Sequence, residues 1–435
     1  MSNRQELKSL NLSIKPCGPV KATVTLPGSK YIANRLLPLC ALASTTSHIK
    51  NVVNNDDIQT AAAGLSQLGY QIQTDGNALK INPRQVTAMK PIDIYTAHSG
   101  TFSRFVAAIA ALEKVPVNIE CSAKMATRPM IELFDALRSL SVEIDTPNGC
   151  LPAKIIGPVK GNECRLDASR SSQYLSALLI IAPLLDDGLR INLTGSVVSR
   201  AYVDMTIQLM KKMSVNVEED EQGFYVPPGQ KYQGIDFMIS PDPVSSSYFM
   251  GAAAISGGEI LLKNFDKNSL QGEAGFYQVL EKMGCKITFQ GDDLLVEGPE
   301  RLQAISIDMG GMPDAVQTLA VVACFAQGIT TITNIEHLAF KESNRIEDTA
   351  NELRKTGIKV ESGKDYLKIE GGIPHGANIE THDDHRMAMS MALLGIKTPD
   401  ICILDSQVVA KSFPKYWDYL ADIGISTFPQ TKSLG

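Results

Sequence analysis

Six stretches of the chain share one pattern, in which a polar turn leads into a helix with apolar side chains on nearly every face. In SRSSQYLSALLIIAPLL (169–185), Arg170, Ser171, Ser172 and Gln173 precede a segment that is almost wholly apolar from Leu175 onward. The starts of the six stretches lie 67 to 74 residues apart, at Gly28, Ser99, Ser171, Ser245, Met312 and Asp383. A helix that is apolar all round has to be buried, so the pattern predicts six core helices.

A second pattern runs in phase with the first and consists of an amphipathic helix end, a tight turn and a strand, as in LSQLGYQI and LEKMGCKI. Its turn residues are spaced 67 to 73 residues apart: Gly69, Ser141, Ser214, Gly284, Gly357 and Gly424. In the first five cases another short strand follows, such as ALKIN (78–82). Two landmarks that agree on a period near 72 predict six βαβαββ repeats and an α/β fold.

The sixth repeat lacks its last strand, because the chain ends soon after LADIGISTFPQ. The segment LNLSIKP (10–16) belongs to no repeat, and we expect it to supply that strand. The chain would then form two domains of three repeats each, 28–241 and 1–27 plus 242–435. We expect the core helices to point their N-termini toward one cleft, where unpaired N–H groups and positive dipole ends favour anions.

Composition and charge exclude several classes of protein. Hydrophobic residues make up 44% and charged residues 20%, with a net charge of −6 and no basic tail, which disfavours a nucleic-acid partner. There is no run of 18 apolar residues and no N-terminal apolar segment of signal length, so no membrane partner is expected. The eight cysteines occur singly without CxxC pairs, which indicates reduced thiols and a cytoplasmic location, with no metal site.

Four of the predicted helix entrances carry a cation, and this is unusual chemistry for a helix N-terminus. The cations are Lys30 with Arg35, Arg104, Arg170 and Arg386. The simplest interpretation of the accompanying Ser and Asp residues is that they are ordinary N-caps. That interpretation leaves the cations unexplained, because they oppose the helix dipole and need an anionic partner.

The motifs at these entrances resemble, in order and spacing, the signatures of the enolpyruvyl transferases, particularly the branch that uses shikimate 3-phosphate. They are LPGSKYIANR, SGTFSR, KMATRP, SRSSQYLSALL, PDAVQTLAV, KESNRIED and DDHRMAM, and they span nearly the whole chain. The resemblance implies a two-domain inside-out α/β barrel, with six βαβαββ repeats, three per domain, and an active site in the interdomain cleft. It also implies a monomer that requires no metal or organic cofactor.

The implied reaction moves the enolpyruvyl group of phosphoenolpyruvate to the 5-hydroxyl of shikimate 3-phosphate and releases phosphate. These two small molecules are the expected partners, and glyphosate is the expected inhibitor. Together the substrates carry two phosphates and two carboxylates, so several cations have to converge on them. A base has to remove the hydroxyl proton, and an acid has to protonate the methylene carbon of phosphoenolpyruvate.

The resemblance also implies a role for individual residues. The catalytic residues are Lys30, Asp314 as proton acceptor, Glu342 as proton donor to carbon, and His385 as proton relay. The residues implied to bind shikimate 3-phosphate are Lys30, Tyr31, Arg35, Ser171, Ser172, Gln173, Ser199, Tyr202, Asp314, His337 and Lys341. Those implied to bind phosphoenolpyruvate are Lys30, Gly100, Thr101, Arg128, Gln173, Arg345, Arg386 and Lys411. Asp383 is expected to cap its helix.

Several positions depart from the family pattern. Tyr31 stands where a Ser is usual, His98 replaces an Asn near the GT pair, and His337 replaces a second Asn. Because several of these changes lie on the acceptor side, the resemblance implies the donor more strongly than the acceptor. Two alternatives therefore stay open: an enolpyruvyl transferase for another acceptor, such as a UDP-sugar or a specialised metabolite, and a catalytically dead binding protein.

Two observations bear on these alternatives. The UDP-sugar branch usually has Lys-Asn in its first motif and a reactive Cys shortly before its Arg-Pro. Here Lys30 is followed by Tyr31, and Cys121, seven residues before Arg128, is interpreted as a structural thiol. A dead binding protein is disfavoured because the residues with the central implied roles are retained together: Lys30, Asp314, Glu342, Arg345 and Lys411.

Overall fold

The computed structural model of the protein describes residues 10–85, 88–269 and 271–430. Within them the chain forms two compact units. We call Gly28–Ile239 the N-terminal unit, and residues 10–27 together with 240–430 the C-terminal unit.

Helices and strands alternate along the described residues, and this confirms the predicted α/β class. The α-helices are α1 (Lys30–Ala41), α2 (Asp56–Gln67), α3 (Gly100–Ala110), α4 (Ile131–Ser139), α5 (Ser172–Ile181), α6 (Ala201–Lys212), α7 (Pro243–Ser256), α8 (Phe276–Lys282), α9 (Val316–Ala323), α10 (Arg345–Lys355), α11 (His385–Met391) and α12 (Tyr416–Asp422). The strands are β1 (Leu12–Ile14), β2 (Lys21–Val24), β3 (Ser47–Lys50), β4 (Gln71–Asp75), β5 (Ala78–Asn82), β6 (Ile92–Tyr95), β7 (Val117–Glu120), β8 (Glu143–Asp145), β9 (Ala153–Ile156), β10 (Glu163–Leu166), β11 (Leu189–Leu193), β12 (Glu218–Asp220), β13 (Gly223–Val226), β14 (Asp236–Met238), β15 (Glu259–Leu262), β16 (Lys286–Gln290), β17 (Asp293–Glu297), β18 (Leu302–Gln303), β19 (Ser306–Asp308), β20 (Ala326–Gln327), β21 (Ile329–Thr333), β22 (Lys359–Ser362), β23 (Leu367–Glu370), β24 (Ala377–Ile379), β25 (Ile401–Ile403) and β26 (Thr427–Pro429).

Each unit contains four-stranded sheets that repeat one topology. In the sheet β6-β7-β9-β8, β6 and β7 pair in parallel across α3, and the hairpin β8–β9 adds antiparallel strands after α4. The N-terminal unit also holds β14-β3-β5-β4 and β10-β11-β13-β12. The C-terminal unit holds β16-β17-β15-β2, β19-β21-β23-β22 and β24-β25-β1-β26. The period near 72 therefore marks one sheet and its two helices.

The last repeat takes its missing strand from the start of the chain, as the sequence predicts. In β1, Ser13 lies opposite both Cys402 of β25 and Phe428 of β26, so β1 is an inner strand of its sheet. A further exchange was not predicted. β2, which directly precedes the N-terminal unit in sequence, pairs in parallel with β15 of the C-terminal unit. β14, which directly precedes residues 240–430, pairs in parallel with β3 of the N-terminal unit. Each unit therefore completes one sheet with a strand that lies next to the other unit in sequence.

The six turns of the second sequence pattern have the backbone geometry that a tight turn requires. All six turn residues have positive φ, namely Gly69 (91°), Ser141 (68°), Ser214 (68°), Gly284 (101°), Gly357 (82°) and Gly424 (89°). This left-handed conformation is sterically easy for glycine, which has no Cβ, and costly for other residues. Four of the six positions accordingly hold glycine.

The six core helices are buried as predicted, and α7 is buried along all 14 of its residues. Its small residues permit close packing, since a Cβ added at Gly251 would lie 3.1 Å from side-chain carbons of both Leu393 and Thr318. The Thr318 hydroxyl lies 3.2 Å from the hydroxyls of Ser247 and Ser390, so α7, α9 and α11 share a buried chain of hydrogen bonds. No helix in the described part of the chain is long and apolar enough to cross a membrane.

Because β1 is an inner strand, we expect Ile14→Ala to destabilise the C-terminal unit. Ile14 is 3% exposed and belongs to the core of that unit. The substitution should lower the free energy of unfolding by about 2–5 kcal/mol, measured by urea denaturation. Lys15→Ala is the matched control, since Lys15 is exposed and its backbone N–H to Ser426 is kept. Equal midpoints for both variants would show that β1 lies outside the cooperative unit.

Candidate active site

At the start of α1, a buried lysine lies near the ring of Tyr31. Ser29 caps the helix by accepting the N–H of Tyr31. Lys30 is 9% exposed, and its Nζ lies 3.6 Å from Asp57 Oδ2 and 5.6 Å from the centre of the Tyr31 ring. The Tyr31 ring lies 5.1 Å from that of Tyr202, centre to centre. Asp57, which sequence reasoning missed, therefore supplies a counter-charge for the buried ammonium group of Lys30.

One turn further along α1, Arg35 is almost fully enclosed. Its Nε donates to Tyr202 O at 3.2 Å and to Thr206 Oγ1 at 2.8 Å, and Nη1 donates to Tyr31 O at 3.1 Å. Burial lowers the pKa of Arg35 to about 10. Within the described residues Nη2 donates no hydrogen bond. Arg35 thus mainly fastens α1 to α6, and one terminal nitrogen remains for a ligand.

Two guanidinium groups converge on the first residue of α3. A Cβ added at Gly100 would lie 2.8 Å from the Nη1 atoms of both Arg104 and Arg128. Arg104 Nη1 donates to Gly100 O and to Gln173 Oε1, both at 2.9 Å, and Gln173 Nε2 donates to Thr101 Oγ1 at 3.0 Å. A side chain at position 100 would therefore displace the guanidinium groups from the start of α3. Two cations at a helix N-terminus make an anion-binding arrangement.

The predicted hydroxyl groups lie at the start of α5 and before α6. Ser171 caps α5 by accepting the N–H of Gln173 at 3.3 Å, and Ser172 is the first, buried residue of the helix. Ser199 has a φ of 51° and precedes α6 by two residues. Arg170 pairs with Glu132 at 3.0 Å, so this entrance cation already has a carboxylate partner in the protein.

In the C-terminal unit, Arg345 is the hub of a buried charge network. It is 2% exposed and opens α10. Nε donates to Asp384 Oδ2 at 2.7 Å, Nη1 to Asp314 Oδ1 at 2.8 Å, and Nη2 to Glu342 Oε2 at 2.9 Å. Burial would lower the pKa of Arg345, but the negative charges of Asp384, Glu342 and Asp314 raise it overall. One guanidinium therefore orients three carboxylates.

Asp314 lies between two guanidinium groups just before α9. Its Oδ2 accepts from Arg386 Nη2 at 3.0 Å, and Arg386 Nη1 donates to Tyr248 Oη at 3.1 Å. Burial raises the pKa of Tyr248 to about 12, so its hydroxyl stays protonated. Asp314 is 7% exposed. Because Arg345 and Arg386 each bind one of its carboxylate oxygens, they hold the carboxylate in one orientation, as a positioned base requires.

Glu342 is held from both sides, because Oε1 accepts from Lys411 Nζ at 2.7 Å while Oε2 accepts from Arg345. In this network the positive charges of Arg345, Arg386 and Lys411 equal in number the negative charges of Asp314, Glu342 and Asp384. An anionic ligand that binds these cations would compete with the carboxylates for their positive charge.

Three further predicted residues lie around this network. Burial, followed by the charge of Lys341, lowers the pKa of His337, and its Nε2 has no hydrogen-bond partner among the described residues. Burial also lowers the pKa of Lys341, against the opposing charge of Asp314. His385 is 1% exposed and opens α11, with Nδ1 lying 3.6 Å from Asp384 Oδ1.

The expectation that Asp383 caps α11 is wrong. The N-cap is Asp384, whose side chain accepts the N–H of Arg386 and also binds Arg345. Asp383 instead has a φ of 54° in the preceding turn. The two aspartates of DDHR are visible in the sequence, but which of them caps α11 depends on the backbone conformation. Asp384 has the extended backbone of an N-cap, whereas Asp383 has a positive φ. Sequence reasoning also missed the contacts of Arg104 with Gly100 and Gln173.

One group of potential metal ligands lies among the described residues, formed by Glu352, Glu380 and His382. Lys355 Nζ lies 2.9 Å from Glu352 Oε2 and 3.5 Å from Glu380 Oε1. His382 Nε2 lies 2.8 Å from Glu352 Oε1. The ammonium group already supplies the positive charge that a cation would bring, so this cluster is best described as an ion-pair network.

Comparison with known proteins agrees with this geometry. The family model for EPSP synthase (3-phosphoshikimate 1-carboxyvinyltransferase) matches residues 14–420. The chain is 38% identical to the 3-phosphoshikimate 1-carboxyvinyltransferase of Photobacterium profundum, over 95% of this chain and 99% of the relative. It is 37% identical to that of Yersinia pseudotuberculosis serotype O:3, over 94% and 98%. The solved EPSP synthase of Acinetobacter baumannii shares the fold, with a TM-score of 0.84 and 24% identity over 97% of this chain and all of that one. This chain belongs to the EPSP synthase family.

Proposed function

We propose that this enzyme of the EPSP synthase family transfers the enolpyruvyl group of phosphoenolpyruvate to the 5-hydroxyl of shikimate 3-phosphate, giving 5-enolpyruvylshikimate 3-phosphate and phosphate. The observation that carries the proposal is the Arg345 network, which holds Asp314 and Glu342 on one guanidinium beside two further cations. This arrangement combines a base, an acid and binding groups for an anion, which are what the reaction needs.

In the proposed chemistry, Asp314 accepts the proton of the 5-hydroxyl as its oxygen attacks carbon 2 of phosphoenolpyruvate. Glu342 donates a proton to the methylene carbon, which becomes a methyl group in a tetrahedral intermediate. That intermediate then expels phosphate while a methyl proton returns to the Glu342 carboxylate, which restores both the double bond and the acid. Lys30, buried and charge-paired with Asp57, stabilises the charge of the intermediate, and His385 relays protons.

The residues proposed to bind the substrates come from several segments of the chain. Phosphoenolpyruvate is proposed to bind Lys30, Gly100, Thr101, Arg128, Gln173, Arg345, Arg386 and Lys411. The phosphate of shikimate 3-phosphate is proposed to bind the hydroxyls of Ser171, Ser172 and Ser199, near the N-terminus of α5. Arg35 is proposed to bind the acceptor carboxylate through Nη2 alone, because Nε and Nη1 are used within the protein.

Shikimate 3-phosphate is favoured over a UDP-sugar as the acceptor. The relatives that match most of the chain are named for 3-phosphoshikimate. Burial raises the pKa of the Cys121 thiol to about 11, so little of it is thiolate at neutral pH, whereas a reactive cysteine needs a depressed pKa. This supports the interpretation of Cys121 as a structural thiol.

Phosphate release from phosphoenolpyruvate tests the acceptor directly. We expect release with shikimate 3-phosphate and none above background with UDP-N-acetylglucosamine, when each is supplied at equal concentration. The product with shikimate 3-phosphate should carry one added enolpyruvyl group by mass spectrometry. Release with the UDP-sugar alone would replace the proposed acceptor, and release with neither would favour a binding protein.

The proposed roles of Asp314 as base and Glu342 as acid predict that Asp314→Asn and Glu342→Gln lose turnover, although each new side chain has nearly the same shape as the original. Both changes remove proton transfer, and a positioned acid or base contributes roughly 100- to 10,000-fold to the rate. We expect kcat to fall by that order, while shikimate 3-phosphate still binds in calorimetry.

Glu336→Gln is the matched control, since Glu336 belongs to the same unit and pairs at the surface with Lys364. Its kcat should equal that of the wild type. Near-normal turnover in Asp314→Asn or Glu342→Gln would remove that residue from the mechanism.

Tyr31 is predicted to weaken acceptor binding. Its ring is tilted by 40° against that of Tyr202, with the centres 5.1 Å apart. The family resemblance implies a Ser at this position, whose hydroxyl would share the acceptor carboxylate with Arg35. Losing one hydrogen bond to a charged group costs about 1.5–3 kcal/mol. We therefore expect Tyr31→Ser to lower KM for shikimate 3-phosphate and to leave KM for phosphoenolpyruvate unchanged.

Tyr31→Phe separates the ring from its hydroxyl. It keeps the contact with Tyr202 and adds no acceptor hydrogen bond, so KM for shikimate 3-phosphate should not improve. A lower kcat/KM for shikimate 3-phosphate in Tyr31→Ser would show that the tyrosine is a working part of the site.

A further inference from the structure

A buried glutamate that the reaction scheme leaves unused contacts the backbone of Asp314. Glu273 lies in the 3-10 helix Gly272–Gly275, immediately before α8, and is 1% exposed. Its Oε1 accepts the N–H of Asp314 at 3.2 Å. No pattern in the sequence singles out this residue, because its segment SLQGEAG is typical of an ordinary loop.

The contact is built into the backbone of both segments. A Cβ added at Gly272 would lie 1.8 Å from Gly311 O and 2.9 Å from Gly311 C. Only a glycine can therefore occupy position 272 while the two turns lie this close. The turn that carries Glu273 is thus packed directly on the turn that leads into Asp314.

Charged groups surround Glu273 on several sides. Burial, followed by the charge of Asp314, raises the pKa of Glu273 to about 7, while Arg386 acts in the opposite direction. Burial lowers the pKa of Lys341, and the charge of Glu273 is among those that partly offset this effect. The helix α7 packs against this turn, and its N-cap residue Asp242 accepts a hydrogen bond at 3.3 Å from Gln271, two residues before Glu273. Glu273 is therefore a buried acid among both signs of charge, next to the proposed base.

We propose that Glu273 is a positioning residue for proton transfer, which orients the turn bearing Asp314 and places a second negative charge beside its carboxylate. Two carboxylates that lie close together in a buried site disfavour each other's ionised form. A proton that arrives on Asp314 relieves this repulsion, so Asp314 becomes a stronger acceptor for the 5-hydroxyl proton. The inference rests on the proposed role of Asp314 as the base.

The proposal predicts a specific pH dependence. Coupled carboxyl groups titrate as a pair, in two steps that belong to both residues. As the pH falls through the neutral range, the pair takes up its first proton and the second negative charge is lost. Turnover at saturating substrate should therefore decline on the acid side from near neutral pH, above the range of an isolated aspartate.

The test compares kcat against pH for the wild type, Glu273→Gln and Glu273→Asp. Glu273→Gln keeps an oxygen acceptor for the Asp314 N–H but removes the charge. We expect its acid limb to move about one pH unit lower, and its kcat at pH 8 to fall about tenfold. Glu273→Asp keeps the charge, so its limb should stay at the wild-type position even if kcat falls.

Glu281→Gln, an exposed glutamate on the adjoining α8, is the matched control and should change neither quantity. Circular dichroism and shikimate 3-phosphate affinity establish that each variant is folded. An acid limb that does not move in Glu273→Gln, or that moves equally in Glu273→Asp, would overturn the proposal, since both results indicate a purely structural glutamate.

A second measurement does not depend on the stability of the Glu273 variants. Carboxyl-resolved NMR titration of the wild-type protein should show two interacting steps for Glu273 and Asp314. In Asp314→Asn, Glu273 should titrate in a single step at lower pH, and an unchanged Glu273 titration would overturn the proposal. If Asp314→Asn retains turnover, the base itself is wrong; if it is inactive while the limb of Glu273→Gln is unmoved, only the inference about Glu273 fails.

Discussion

The guanidinium of Arg345 constrains the positions of three carboxylates in the C-terminal unit. A charge that is 2% exposed has to be paired and hydrogen-bonded, because leaving it unpaired costs several kcal/mol. Arg345 meets that need with Asp314, Glu342 and Asp384, which come from three different segments. The start of α10 is therefore tied to the turns before α9 and α11, and the proposed acid and base acquire their relative positions from one side chain.

The same physics explains why the core helices begin with polar and charged residues. Their bodies are apolar because they are buried, and their first turns carry unpaired N–H groups that need partners. Some of those partners are protein groups, as in the caps Ser171 and Asp384. At α3 the arrangement is different, since Gly100 leaves room for two guanidinium groups at an end of the helix that already favours anions.

Tyr31 and Glu273 illustrate two ways in which single residues can modify the proposed site. Tyr31 stands at a position proposed to bind the acceptor, and its ring contacts that of Tyr202. Glu273 lies behind the proposed base and acts only through the backbone and charge of Asp314. A substitution at Tyr31 is therefore expected to act on acceptor binding, whereas one at Glu273 should act on proton transfer.

The sequence alone determined the repeat, the core helices and the family. The period near 72 is visible because two local features recur, namely an apolar helix that must be buried and a turn that needs positive φ. Both features can be recognised from the residue types alone. The strand role of residues 10–16 also followed, because one repeat lacked a strand and one segment lacked a repeat. The roles of the predicted site residues, the location of the site in an interdomain cleft, the monomeric state and the cytoplasmic location stay predictions.

Tertiary structure decided what depends on contacts between distant segments. The exchange of β2 and β14, the cap at Asp384 rather than Asp383, the Asp57 counter-charge of Lys30 and the contact of Glu273 with Asp314 all have no local signature. Asp314 and Glu273 are 41 residues apart in the chain. Only folding brings them within one hydrogen bond, and burial, which a sequence does not display, then makes the charge of each matter to the other.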